Sequence, residues 1–165
     1  MTQRSNLPLD HALRMLGMVA RMYRWAEARA QARPDQDLSL RQLSALYGIR
    51  DGISSPGQLA RRMGVTPAVV TGLIDRLQQR GYVRRDADPN DRRRFRLSLT
   101  ESGLAVGDAL GQALGEELAA QFENISKTEL ESLGRTLLLM ERALSALEAR
   151  MPTSLPEGAG EADDS

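Results

Sequence analysis

Arginine is the residue of this chain whose numbers and spacing could do chemistry. Ten arginines (Arg61, Arg62, Arg76, Arg80, Arg84, Arg85, Arg92, Arg93, Arg94 and Arg96) crowd one stretch against four acids, Asp75, Asp86, Asp88 and Asp91. That stretch carries +6, whereas the whole chain, with 22 basic and 22 acidic residues, sums to zero, so the remainder is acidic by the same amount. Guanidinium groups gathered on one segment suit phosphate, because neutralised phosphates release counterions and drive association. A solvated charge run is the plainer explanation. Of the 22 basic residues only Lys127 is a lysine, which reads first as the codon bias of a GC-rich genome and only second as function.

Other chemistries lack their residues. Without cysteine there is no disulfide, thiol sensor or thiolate zinc site. His11 is the only histidine, too few to hold zinc without further ligands, and it reads as a surface or cap residue. Neither a Gly-rich phosphate loop nor an HExxH or GxSxG motif is present. The expectation is a non-enzyme with no cofactor and no metal. No leader-like N-terminus and no apolar run of membrane-spanning length occurs, which makes the cytoplasm the expected compartment and excludes a membrane partner.

The elements that position the arginines can be read next. Ser55-Pro56-Gly57 opens a short helix with Leu59 and Met63 inward, and Gly64 lies in the turn after it. Thr66 then serves as an N-cap with Pro67 at the first helical position. Val70, Leu73, Ile74 and Leu77 share one helical face, and Gly81 supplies the stop. Opposite that face lie Ala68, Gly72, Asp75 and Gln79, flanked by Thr71 and Arg76, small or polar enough to approach base edges. Tyr82 to Arg85 is β-prone, and Phe95, Leu97 and Leu99 alternate with Arg94, Arg96 and Ser98 as in a half-buried strand. Between them Asp86 to Arg94 reads as a polar loop. Two helices, a tight turn and a hairpin make a winged helix-turn-helix.

In these motifs the chain resembles the MarR family of winged-helix transcription regulators. The matching residues are Val65 to Leu77, Arg80-Gly81-Tyr82-Val83, Asp88-Pro89-Asn90-Asp91-Arg92-Arg93, and Leu99-Thr100-Glu101-Ser102-Gly103. The resemblance reaches from about Leu9 to about Met151 and implies a DNA-binding regulator, a repressor in the first instance. It places Thr66, Pro67, Ala68, Val69, Thr71, Gly72 and Arg76 on the recognition helix, and Arg84, Arg85, Asp91, Arg92, Arg93 and Arg94 on the wing. Ala68, Val69 and Gly72 stand where many relatives carry polar side chains. Asp91 would orient Arg93, and Arg93 would enter the minor groove, where a planar guanidinium fits a narrow electronegative slot. Arg84 and Arg85 are expected to touch phosphate. For Arg76 a phosphate or acid partner stands beside base reading.

The rest of the chain supplies long helices. Leu9 to about Ala32 repeats apolar or small residues at 9, 13, 16, 20 and 23, and residues 33–37 break it. Ser39 opens the next helix with Gln42 as capping-box partner. Thr100 caps a helix expected to reach Asn124, with Gly103, Gly107, Gly111 and Gly115 spaced for a close crossing. Ser126-Lys127-Thr128-Glu129 is a second capping box, and Leu130, Leu133, Leu137, Met140, Leu144, Leu147 and Met151 step as a heptad seam that Pro152 ends.

The expected class is therefore mainly α with a small β-hairpin wing and long N- and C-terminal dimerisation helices. The expected division is a loose arm 1–8, a first helix 9–37, a DNA-binding lobe 38–100, two helices in 101–152 and a disordered acidic tail 153–165. Leu9, Leu13 and Leu16 with the C-terminal leucines imply a homodimer, and a twofold dimer reads a palindromic double-stranded operator. By the resemblance, a small effector, aromatic or lipophilic and anionic, would lodge near Arg14, Met15, Met18, Met22, Tyr23 and Tyr47. Plain core packing explains the same methionines and aromatics. A ligand-independent regulator or an architectural DNA-binding protein is the alternative.

Overall fold

The computed structural model describes residues 7–33, 38–88 and 91–150, with the backbone alone at 88 and 91–94. In chain order the elements are α1 (Leu7–Gln31), α2 (Leu40–Arg50), α3 (Pro56–Met63), α4 (Pro67–Gln79), β1 (Val83–Asp88), β2 (Asp91–Leu99), α5 (Glu101–Ala119), a 3-10 turn (Ala120–Phe122) and α6 (Lys127–Glu148). The molecule is thus mainly helical with one antiparallel hairpin, as the patterning requires.

Local chemistry sets most of the boundaries. The hydroxyls of Ser39, Ser55, Thr66, Thr100 and Ser126 each accept the backbone N–H three residues on, capping α2 to α6 in turn. Gln42 and Glu129 return the bond to their caps, so both capping boxes form. Gly64 and Gly81 take positive φ, 64° and 72°, where the chain reverses after α3 and α4.

The core lies where α2, α4 and α5 meet under the hairpin. Leu46, Leu59, Val70, Ile74, Leu77, Val83 and Leu110 are fully buried there. α2 crosses α5 at two of the four spaced glycines: a methyl on Gly111 would collide with the Tyr47 hydroxyl, while one on Gly107 would make an ordinary contact, 3.5 Å from Leu46 Cδ1. Gly103 instead sits against the Tyr82 carbonyl, and Gly115 faces open space, so the crossing is shorter than the spacing predicts.

Other expectations shift. α1 begins at Leu7, so Leu7 and Pro8 are helical rather than part of a loose arm, with Pro8 inside the first turn, where its missing N–H costs nothing; residues 1–6 lie outside the described residues. The break at 34–37, Met151, Pro152 and the acidic tail also lie outside them. α5 stops at Ala119 and tightens into the 3-10 turn rather than running to Asn124. Residues 86–88 and 91–94 are strand, not loop. Asp86 faces Arg96 and Arg84 faces Ser98 across the ladder, and cross-strand polar pairs hold a solvated hairpin that has no apolar alternation. Phe95 is 57% exposed rather than half-buried, because the hairpin overhangs the lobe at the Ala87–Phe95 pair.

α1 and α6 hold little of their apolar surface in. Within the single chain Leu9, Leu13 and Leu16 on α1 and Leu137, Leu144 and Leu147 on α6 are all exposed, and α6 has no buried residue.

Candidate nucleic-acid interface

α4 divides cleanly. Val70, Leu73, Ile74 and Leu77 face the core, while Thr66, Pro67, Ala68, Val69, Thr71, Gly72 and Arg76 are all exposed, as the recognition-helix reading requires. The Thr66 hydroxyl is engaged as N-cap, accepting from the Val69 amide at 3.4 Å, and the Thr71 hydroxyl donates to the Pro67 carbonyl at 3.0 Å. A methyl added to Gly72 would meet nothing within 4 Å, so this face is shallow. Neither an ion pair nor a hydrogen bond joins the Arg76 side chain to another described residue. That leaves its guanidinium open to an incoming phosphate or base.

The hairpin follows directly. Gly81 turns the chain, and its carbonyl accepts from Thr100 Oγ1 at 2.6 Å and Ser102 Oγ at 3.1 Å, locking the end of α4 to the start of α5. On the body side of the hairpin, the Leu97 N–H donates to the Ser54 carbonyl at 2.7 Å. Strand alternation then separates the two arginines of β1. Arg84 points outward, 3.8 Å from Asp86, whose Oδ2 also accepts from Ser98 at 2.7 Å. Arg85 shares its side of the strand with buried Val83 and turns to α4, where Nη2 lies 2.5 Å from Asp75 Oδ1.

Both arginines expected on phosphate thus have an acid beside them: Arg85, 31% exposed, is held by Asp75 of α4, and Arg84, 64% exposed, lies more loosely against Asp86 of its own strand. Sequence reasoning placed Asp75 only on the outer face of its helix. The one available signal was a lone acid between Arg61 and Asp86 in an otherwise basic run. Asp91, Arg92, Arg93 and Arg94 form the first part of β2, and their side chains lie outside the described residues.

The comparisons with known proteins bear on this arrangement. The sequence model described as "MarR family" matches residues 36–94, from the start of the lobe through the wing arginines. A regulator of Mycobacterium bovis, "Uncharacterized HTH-type transcriptional regulator Mb0904", is 35% identical over 108 residues, which is 65% of this chain and 76% of the relative. The chain belongs to the MarR family. "HTH-type transcriptional repressor YetL" of Bacillus subtilis is 33% identical over 95 residues, 58% of this chain and 57% of YetL, so the chain spans little more than half of that repressor's length. Among solved structures, a mutant MarR from E. coli complexed with operator DNA superposes with a TM-score of 0.57 at 25% identity, covering 81% of this chain and 93% of MarR.

In this MarR-family chain the residues expected to form one effector crevice are divided between two grooves. Met18 and Met22 line one of about 480 Å³ with Arg21, Trp25 and residues of α5. Tyr23 and Tyr47 line another of about 590 Å³ with Arg41, Ser44, Arg62 and Met63. Arg14 and Met15 line neither. The reason is helical rotation: Met18 and Met22 are one turn apart on one stripe, while Tyr23 is turned about 100° away. Tyr47 is also partly engaged, with the Arg50 guanidinium 4.3 Å from its ring centre and its hydroxyl donating to the Gly107 carbonyl at 3.4 Å. His11 is exposed on α1, and no cluster of metal-binding side chains occurs among the described residues. No helix among them is long and apolar enough to cross a membrane.

Proposed function

We propose that this protein is a homodimeric, sequence-specific regulator of transcription that binds palindromic double-stranded DNA and represses. The observation that carries the reading is the exposed, shallow outer face of α4 beside an arginine-rich hairpin that overhangs the lobe. α4 would lie in the major groove with Arg76 and the 66–72 face against it, Arg84 on phosphate, and Arg93 in the adjoining minor groove, oriented by Asp91. A relative named as a repressor and a neighbour solved on operator DNA support this class of partner.

Dimerisation is inferred from exposed leucines on α1 and α6, an apolar surface too extensive to leave in water. Residues 38–100 are then the DNA-binding lobe, and α1, α5 and α6 pair across a twofold axis. Half-sites would lie about 34 Å apart, one helical turn. The test selects a duplex from random sequence with the protein, footprints it and measures mass by sedimentation. A palindromic footprint under a dimer is expected; a monomer, or binding without sequence preference, would overturn the reading.

An effector reading is favoured by the groove of Tyr23, Arg41, Ser44, Tyr47, Asp51 and Arg62, where Arg41 stands beside aromatic walls while Arg62 is already paired with Glu148. An aromatic acid or similar lipophilic anion fits that chemistry. By favouring another separation of the lobes it would shift the population away from operator spacing. Calorimetric titration with aromatic acids, paired with operator release, tests it. If no acid binds and releases DNA, the ligand-independent or architectural reading replaces it.

A further inference from the structure

We propose that Asp75 is a positioning residue for the wing, acting on bound DNA through Arg85 without touching DNA itself; the proposal rests on the DNA-binding reading above. Asp75 stands on α4, in the helix assigned to the major groove. An acid there should repel phosphate, and the basic segment carries only three others. The structure supplies a reason for it. The Asp75 carboxylate meets the Arg85 guanidinium at 2.5 Å, with the two side chains 46% and 31% exposed. This short, charge-assisted bond joins the recognition helix directly to the first strand of the wing.

Its place along the hairpin gives the bond leverage. Arg85 pairs with Leu97, whose side chain is buried and whose amide is fixed by Ser54. One step further out on the same side, Ala87 pairs with Phe95 and both are exposed. The Asp75–Arg85 pair therefore ties the hairpin to α4 at the level where its buried root gives way to exposed strand. Beyond it the strands continue to Asp88 and Asp91, carrying Arg93, the arginine assigned to the minor groove. A rod held at its base swings at its tip, so the tie fixes the angle at which Arg93 is presented. An exposed ion pair adds little to folding stability. Its effect lies in ordering the wing before DNA arrives, so that less freedom is lost on binding.

The proposal and simple electrostatics predict opposite signs, and the test uses that. Asp75→Asn removes a negative charge from the DNA face and releases Arg85. Charge alone predicts tighter binding. Positioning predicts about 10-fold weaker binding to a duplex selected by the wild-type protein, the range expected when a side chain and its strand must be ordered on binding rather than before it, with a shallower salt dependence as wing contacts are lost. Asp75→Glu should restore most of the affinity, and the exchange Asp75→Arg with Arg85→Asp should restore part. In the free protein, amides of β1 and β2 outward of Arg85 should exchange hydrogen faster in Asp75→Asn, while those of α4 stay as they are. Binding as tight as wild type or tighter, with unchanged wing exchange, overturns the proposal. Exchange is read without DNA. A wild-type protein that binds no duplex therefore overturns the DNA-binding reading, whereas unchanged exchange overturns the tie alone.

Discussion

Gly103 packs so closely under Tyr82 that a methyl group in its place would collide with the Tyr82 carbonyl oxygen. That carbonyl also accepts the Thr100 amide at 3.1 Å, so it has no freedom to withdraw. The first turn of α5 is thus seated on the turn that follows α4. Gly103→Ala should cost about 3 kcal/mol, the upper range for overpacking against backbone. The shift of the denaturation midpoint measures it, and a wild-type midpoint would show that the turn can yield.

Gly72 presents the opposite case. It lies inside α4 with nothing within 4 Å of a built methyl. Gly72→Ala should raise folding stability by about 0.5–1 kcal/mol, since helical glycine loses more chain entropy. If α4 enters the groove closely there, the same variant should bind its operator more weakly. A variant that is more stable and binds undiminished would move the closest approach elsewhere on the helix.

Arg93 stands in β2 two residues outward of Phe95. Arg93→Ala should leave the fold intact and strongly weaken specific operator binding, because the minor-groove contact is lost. The salt slope should fall by about 1 if a phosphate contact goes with it. Equal affinity at physiological salt would remove Arg93 from the interface.

Leu137 and Leu144 are 48% and 51% exposed in the single chain. Changing both to Asp should give unfolded or aggregated protein, because stability and assembly are linked in an obligate dimer. Sedimentation joined to a thermal scan decides, and a clean, well-folded monomer would sink the dimer reading.

Glu129 titrates with the start of α6. The Ser126 hydroxyl first, and its backbone N–H second, donate to this carboxylate and hold its pKa below the ordinary 4.5. A lowered folded value means the cap's contribution is whole above 4.5 and is lost as pH falls through the lower folded value. The first turn of α6 should therefore fray in acid, and Ser126→Ala should reduce that pH dependence, leaving only the part due to the backbone N–H. Amide exchange at residues 127–130 across the acid range reads it, and identical acid profiles in the two proteins would argue against the cap.

What the sequence discloses divides along physical lines. Caps such as Thr66 and Ser126 are legible because donor and acceptor lie three residues apart, and the core face of α4 because its period is local. The length of the hairpin is not legible. Residues 86–88 and 91–94 are strand held by cross-strand pairing, and their mostly charged letters show no apolar alternation that would announce it. Asp75 and Arg85 sit ten residues apart on different elements, and only the fold brings them together. The grooves are hidden for the same reason: Tyr23 and Met22 are neighbours in sequence yet line different walls.

The bond from the Leu97 amide to the Ser54 carbonyl also bears on how this lobe avoids sticking to others of its kind. A strand with an open edge is a template for a strand from another molecule, and chains rich in hairpins aggregate by that route. Here the connection before α3 covers the edge of β2 at its root. The edge of β1 carries Arg84 and Asp86, both more than half exposed, and charges of this kind oppose edge-to-edge stacking. A hairpin that projects from its lobe as a wing can in this way stay exposed without becoming a template for the same hairpin of another copy.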